Sequence, residues 1–176
     1  MQQKLAAGAV FPNIEVALLG GGHTSLAQAT KPYDWRLVVV YRGKHCPKCT
    51  GYLKTLNELL PEFHAQNVDV IAVSSDTQEK AAAHMEVIEP TFPVAYGLTI
   101  EQMQSLGLYI SNPRSAAETD APFAEPGLFV INADGQVQLV DISNAPFLRP
   151  DLAGLAAGIA FIRKPESNYP IRGTYV

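Results

Sequence analysis

The chain carries two cysteines, and they stand three apart in Cys46-Pro47-Lys48-Cys49. Two cysteines scattered at random in a chain this long would fall at that separation in roughly one case in ninety, so the pairing calls for a chemical use. One such use is thiol–disulfide chemistry, in which a thiolate attacks and its neighbour closes a short disulfide. Another is metal binding, but a structural zinc site needs four ligands, and the remaining soft donors are His23, His45, His64 and His84, none paired at zinc-finger spacing. A zinc or copper centre completed by a distant histidine, or a redox-sensing module that does not turn over, is the alternative use. A third reading is a structural adaptor with an ordinary thiol.

What precedes and follows the pair favours the first of these. Arg36-Leu-Val-Val-Val-Tyr41 is a continuous apolar run rich in β-branched residues, the pattern of a strand buried on both faces of a sheet. Leu53, Leu56, Leu60 and Phe63 then recur at spacings of three, four and three, which predicts a helix starting near Cys46 with Pro47 in its first turn. Pro61 falls within that pattern and should kink or end it. Cys46 thus sits where first-turn amides and the helix dipole favour a thiolate. The dipole gives only about 0.3 to 1 kcal/mol, and lowering a thiol pKa from about 8.5 to about 6.5 takes nearly 3, so further donors are needed. Cys46 is assigned as the attacking thiol and Cys49, one turn on, as the resolving thiol.

Arg42, His45 and Lys48 are the candidates to tune the thiolate. Each has a plainer reading. Arg42 either faces the sulfur or points into water, His45 either donates charge or packs over the site, and Lys48 is an exposed helix residue unless it touches the redox couple. Arg114 and Arg149 are candidates to bind a peroxide or a disulfide partner, against the default of solvated loop arginines. His64 and His84 read as ordinary helix residues.

The rest of the chain supplies the frame. Strands are expected at Ile14 to Leu19, Thr24 to Ala27, Val68 to Val73 and Phe92 to Tyr96, with a hairpin of Leu128 to Ile131 and Val137 to Ile142 about Asp134-Gly135. Helices are expected at Thr77 to Ile88, Ile100 to Leu106 and Asp151 to Arg163. The glycines Gly20-Gly21-Gly22 read as a hairpin turn, because Ser25 stands where a dinucleotide fingerprint needs its third glycine. Ser111 to Pro126 has no apolar repeat and is expected to be a functional or mobile loop.

With 47% hydrophobic and 17% charged residues in 176, the sequence has material for one sizeable core, and residues 1–176 are taken as a single domain. A formal charge of −4 without long blocks of one sign argues against nucleic acid as a partner. The longest apolar stretch, Leu152 to Ile162, is diluted by glycines and too short for a bilayer span, and the N-terminal apolar run stops at Pro12 before it makes a signal peptide. A cytoplasmic protein without membrane association is expected, and in that compartment a structural disulfide is improbable, so the two cysteines are to be explained as catalytic, metal-binding or incidental.

Strand, Cys-x-x-Cys, helix, strand, hairpin and helix in this order resemble the thioredoxin fold. More narrowly, Val39-Val-Tyr-Arg-Gly-Lys-His-Cys-Pro-Lys-Cys49 with Tyr52-Leu53, Ala124-Glu-Pro-Gly-Leu-Phe-Val130, Tyr169-Pro-Ile-Arg-Gly173 and the leading Phe11-Pro12 resemble the peroxiredoxin-like branch of the alkyl hydroperoxide reductase and thiol-specific antioxidant (AhpC/TSA) family. The likeness covers nearly the whole chain. It implies an α/β fold in which a central mixed β-sheet is flanked by helices, here with an N-terminal β-hairpin extension. It also implies that Pro126 takes the place of a thioredoxin-type cis-proline against the cysteines, with Glu125 beside it as a further substrate-binding candidate.

The implied activity is that of an antioxidant thiol oxidoreductase acting on a peroxide or a disulfide, recycled by a thioredoxin- or glutathione-type reductant. No cofactor and no metal are implied, and a homodimer is compatible with the family. Two departures stand out. The family's Pro-x-x-x-Thr-x-x-Cys pattern, whose threonine orients the peroxide, meets Val39 and Gly43 at its proline and threonine. The arginine that the family brings near the thiolate has no clear counterpart, since Glu125-Pro126 occupies that region.

Overall fold

In the computed structural model, which describes residues 3–175, seven strands form one mixed sheet. In chain order they are β1 (Glu15–Leu18), β2 (His23–Ser25), β3 (Trp35–Val40), β4 (Val68–Val73), β5 (Val94–Tyr96), β8 (Gly127–Ile131) and β9 (Val137–Ile142). Between β5 and β8 lie two short strands of a separate pair, β6 (Ile110–Ser111) and β7 (Phe123–Ala124). The helices are α1 (Pro47–Ala65), α2 (Gln78–Ile88), α3 (Ile100–Ser105) and α4 (Leu152–Arg163).

The sheet order is β2-β1-β5-β4-β3-β8-β9, with β3 parallel to β4, β4 parallel to β5, and the outer pairings antiparallel. The expected N-terminal hairpin is the β1–β2 edge of this sheet. Strand β3 lies inside the sheet next to the middle strand β4, and all six of its residues are buried. Its period of two explains why. Trp35, Leu37 and Val39 enter the core built with α1 and α4, while Val38 and Val40 enter a second core with Phe11, Ile14 and Phe129.

Sequence patterning found β4 and β9 to the residue and the other main elements to within about two, since short side-chain-capped helices such as α2 and α4 announce themselves by Thr77 and Asp151. Two expectations change. Helix α1 does not end at Pro61 but runs on to Ala65. Leu60 and Phe63 on either side of the proline are buried in the core, and that packing carries the helix past the missing amide hydrogen. The stretch from Ser111 to Pro126 is not wholly a loop either, because Ile110 pairs with Ala124 and Ser111 with Phe123 at its root.

One buried polar element ties the hairpin side to the sheet. Arg36 Nη2 lies 2.7 Å from Asp69 Oδ2, and the guanidinium also donates to Ser25 O and Thr30 Oγ1 at 2.6 and 3.0 Å. Every side of the cation meets an acceptor, which is what burying it requires.

Candidate functional site

Strand β3 delivers the chain to Tyr41, and the turn that follows hands it to α1. Cys46 is the N-cap of α1, with extended φ and ψ of −110° and 99°, and Pro47 opens the helix. The Cys46 Sγ accepts from the Cys49 amide at 3.2 Å, so the sulfur occupies the place where a capping oxygen would lie. The two cysteines form a disulfide with Cα atoms 5.3 Å apart. Both are buried, Cys46 at 1% and Cys49 at 0% exposure, among Tyr41, Leu53 and Leu128 of the core.

The turn before Cys46 is pinned from below. Gly43 has φ +133°, and a Cβ there would lie 2.6 Å from Asp76 Oδ1. Asp76, three residues beyond the end of β4, accepts from the Lys44 amide at 2.8 Å, and the Cys46 amide donates to Gly43 O at 3.1 Å. Burial raises the pKa of the Asp76 carboxyl, with the Lys44 amide opposing. Behind α1, Thr50 Oγ1 bridges to Cys46 O at 3.4 Å and to His84 Nε2 at 2.8 Å.

Arg149 comes from the loop before α4. Its Nη2 lies 2.9 Å from Cys49 Sγ and 4.0 Å from Cys46 Sγ, and its guanidinium stacks on the Tyr52 ring at 4.7 Å. Tyr52 in turn donates to Pro150 O at 2.8 Å, so the second turn of α1 grips the loop that carries the arginine. Burial lowers the Arg149 pKa to about 10 and raises that of Tyr52.

Of the sequence-based candidates, Cys46, Cys49 and Arg149 meet directly. Arg42 faces neither the sulfurs nor open water. Its Nε lies 3.0 Å from Glu125 Oε2, its Nη2 lies 3.9 Å from Glu118, and its guanidinium covers Phe123. His45 packs its ring on Phe123 with centroids 4.5 Å apart, and burial, then Arg42, lowers its pKa. Glu125 is buried and accepts from Ser111 Oγ at 2.7 Å. Lys48 is exposed on the first turn of α1, and Arg114 is 86% exposed beside Glu118.

Pro126 lies near the site, lining a narrow slot with Val39, Tyr52 and Arg149. Its peptide bond is not cis, contrary to the thioredoxin-type expectation, and the cis bond among the described residues is Lys31–Pro32. Backbone ties hold Pro126 on both sides, Glu125 N donating to Tyr109 O and Ser143 N to Pro126 O. Asp76, Tyr52 and His84 were not picked out as site residues by sequence reasoning. Asp76 had a signal, an acid after Ser74-Ser75 at the carboxyl end of a buried parallel strand, where sites gather in open α/β sheets.

Two depressions flank the disulfide. One, about 680 Å³, is lined by Lys48, Tyr52, Phe147, Arg149 and Asp151, with Phe147 71% exposed at its rim. The other, about 390 Å³, is lined by Lys44, His45, Asp76, Lys80 and Asp120. Among the described residues no three His, Cys, Asp or Glu side chains gather as a metal site, and no helix is long and apolar enough to cross a membrane.

Residues 7–140 match the AhpC/TSA family. A "Probable 1-Cys peroxiredoxin" of Syntrichia ruralis is 26% identical over 139 residues, which are 76% of this chain and 63% of that protein, so the chain spans less than two thirds of its curated relative. Among solved structures, a mutant of peroxiredoxin 6 from Arenicola marina superposes with a TM-score of 0.75 at 20% identity, covering 90% of this chain and 74% of the other. Peroxidoxin BcpB from Mycobacterium tuberculosis gives 0.74 at 18%, covering 91% and 99%. These likenesses share the thioredoxin-like architecture described above.

Proposed function

The chain belongs to the AhpC/TSA family, and we propose that it is a peroxiredoxin-like thiol oxidoreductase in which Cys46 attacks and Cys49 resolves. The observation that carries this reading is the Cys46 sulfur at the N-cap of α1, receiving the Cys49 amide at 3.2 Å, with the second sulfur close enough to bond it. An amide donor and the helix dipole both favour the thiolate over the thiol.

With a peroxide, the Cys46 thiolate forms an S–O bond as the O–O bond breaks, and the leaving oxygen departs as water or an alcohol once protonated. The Cys49 thiol then displaces hydroxide from the Cys46 sulfenic acid, giving the disulfide and water. Two electrons from a thioredoxin- or glutathione-type reductant restore the dithiol. The same sulfurs serve disulfide exchange, and that second reading is favoured by Gly43, which offers no hydroxyl to orient a peroxide. The proposed setting is the cytoplasm, where such reductants are kept, and a homodimer is the proposed assembly on family grounds.

The test is the rate at which the fully reduced protein loses free thiol to hydrogen peroxide, beside Cys46→Ser and Cys49→Ser. A Cys46-dependent rate constant above about 10⁴ M⁻¹s⁻¹ lies in the range of evolved enzymes and supports peroxide as substrate. A rate no faster than a free thiol moves the substrate to a disulfide such as oxidised glutathione, and Cys46→Ser with full activity on both would falsify the proposal.

A further inference from the structure

We propose that Arg149 is a catalytic residue of the reductive half-reaction: it receives the Cys49 sulfur as the departing thiolate, and so directs the incoming reductant to Cys46. The inference rests on the dithiol reading above and assigns which sulfur leaves when the disulfide is opened.

The first observation is an asymmetry. Arg149 Nη2 lies 2.9 Å from Cys49 Sγ but 4.0 Å from Cys46 Sγ. The second is an imbalance. Arg149 Nε and Nη1 are buried without a hydrogen-bond partner, and no carboxylate of the described residues forms an ion pair with this guanidinium. Arg149 is itself half-buried, and holding a cation with two of its nitrogens out of water and no paired carboxylate is costly.

The charges that act on Arg149 are few. Tyr52 packs on its face, but that hydroxyl is committed to Pro150 O, and burial favours its neutral form. Arg42 and Glu125 act on it with opposite signs, and Glu125 is already paired to Arg42. The groups in direct contact that become anionic on a change of state are therefore the sulfurs. In the disulfide form the cation faces two neutral atoms, and opening the bond supplies the missing anion.

The step balances without a proton. A reductant thiolate attacks Cys46 Sγ and forms an intermolecular S–S bond, the Cys46–Cys49 bond breaks, and its electron pair leaves on Cys49 Sγ against the Arg149 N–H. A leaving thiolate of lower pKa leaves faster, and the attack that would expel Cys46 instead lacks so close a cation. The second thiol of a dithiol reductant, after losing its proton to water, then attacks the reductant sulfur of the mixed disulfide. That releases Cys46 as a thiolate, which the Cys49 amide in the first turn of α1 stabilises, and leaves the reductant oxidised. Each sulfur thus has its own donor at the moment it departs.

The experiment starts from full-length protein with the disulfide already formed and measures the second-order rate of its reduction by dithiothreitol for wild type, Arg149→Met and Arg149→Lys. Far-ultraviolet circular dichroism selects variants that are folded, and the Lys variant keeps the charge should Met fail. Arg149→Met should slow reduction by about tenfold or more, with Arg149→Lys recovering part of the loss. With glutathione as a monothiol, acid quenching and peptide mass mapping should find the adduct on Cys46. Rates equal to or above wild type in the folded variants, or an adduct mainly on Cys49, would overturn the assignment. Because the starting disulfide is formed chemically with diamide, the step is readable even if reduced protein proves inert to peroxides and disulfides, so the two proposals fail separately.

Discussion

Placing threonine at Gly43, where related enzymes keep one, should damage this protein and not improve it. The reason is geometric: a Cβ at Gly43 would stand 2.6 Å from Asp76 Oδ1 and 2.9 Å from Oδ2, and the backbone there has φ +133°. The conformation alone costs an L-residue about 1 to 2 kcal/mol. The overlap is with a carboxylate fixed by the Lys44 amide, not with the free end of a flexible chain, so relief means loosening that hydrogen bond, about 1 to 3 kcal/mol more. Gly43→Ala isolates these contributions and should lose about 3 kcal/mol. For a domain of this size that is a fall in Tm of roughly 6 to 12 °C. Urea unfolding measures it, and a double-mutant cycle with Asp76→Ala attributes it, since removing the carboxylate should return the steric share of the loss. Gly43→Thr should behave no better than Gly43→Ala and should not raise the peroxide rate. A Gly43→Ala variant within about 0.5 kcal/mol of wild type, the ordinary range for a harmless substitution, would refute the idea that Asp76 has taken the threonine's space.

Breaking the buried pair by Arg36→Met should cost about 3 to 5 kcal/mol, because Asp69 is then left charged and without its cation, and urea unfolding of Arg36→Met reads this directly. Acidification should destabilise the fold beginning near pH 6.5. His45 and His84 have pKa values lowered by burial, so over the window from 6.5 down to their folded values the unfolded chain binds more protons and stability falls as pH falls. Asp76 has the opposite sign, its raised pKa favouring the fold as pH drops into the carboxylate range. Chemical denaturation from pH 8 to pH 5 should therefore show a decline that His45→Phe with His84→Gln flattens; an unchanged slope in the double variant would count against buried neutral rings.

The sheet was legible because its buried strands obey a simple period. Arg36 to Tyr41 has no polar residue after its first position, and a run of that kind has nowhere to lie but between two covered faces. The N-terminus of α1 was legible for the same local reason, as Pro47 and the spacing from Leu53 to Phe63 act within one segment. Of the two outcomes expected at Pro61, a kink or an end, the end does not occur, because the tertiary contacts of Leu60 and Phe63 outweigh local propensity. The site was half legible. The cysteines declare themselves, but Arg149 lies a hundred residues further along, and nothing in a loop arginine's neighbours says that Tyr52 will draw it onto a sulfur. Arg42 shows the reverse case: the sequence left it open between the sulfur and water, and the acids Glu118 and Glu125, far along the chain, are what it meets. The expectation at Pro126 was transferred from a family pattern, and the backbone pairing on either side of it goes another way.

The burial of both sulfurs in the main core joins two equilibria that are commonly measured apart. Folding and reduction form the sides of one thermodynamic square: oxidised folded, reduced folded, reduced unfolded and oxidised unfolded. The free energies around it must sum to zero, so whatever the core prefers, disulfide or dithiol, appears both as a difference in unfolding free energy and as a displacement of the redox potential from that of the unfolded chain. Each 1.4 kcal/mol of difference corresponds to about 30 mV. A pair of denaturation curves, one for each redox form, thereby reports how far the potential of the folded chain departs from that of the unfolded one.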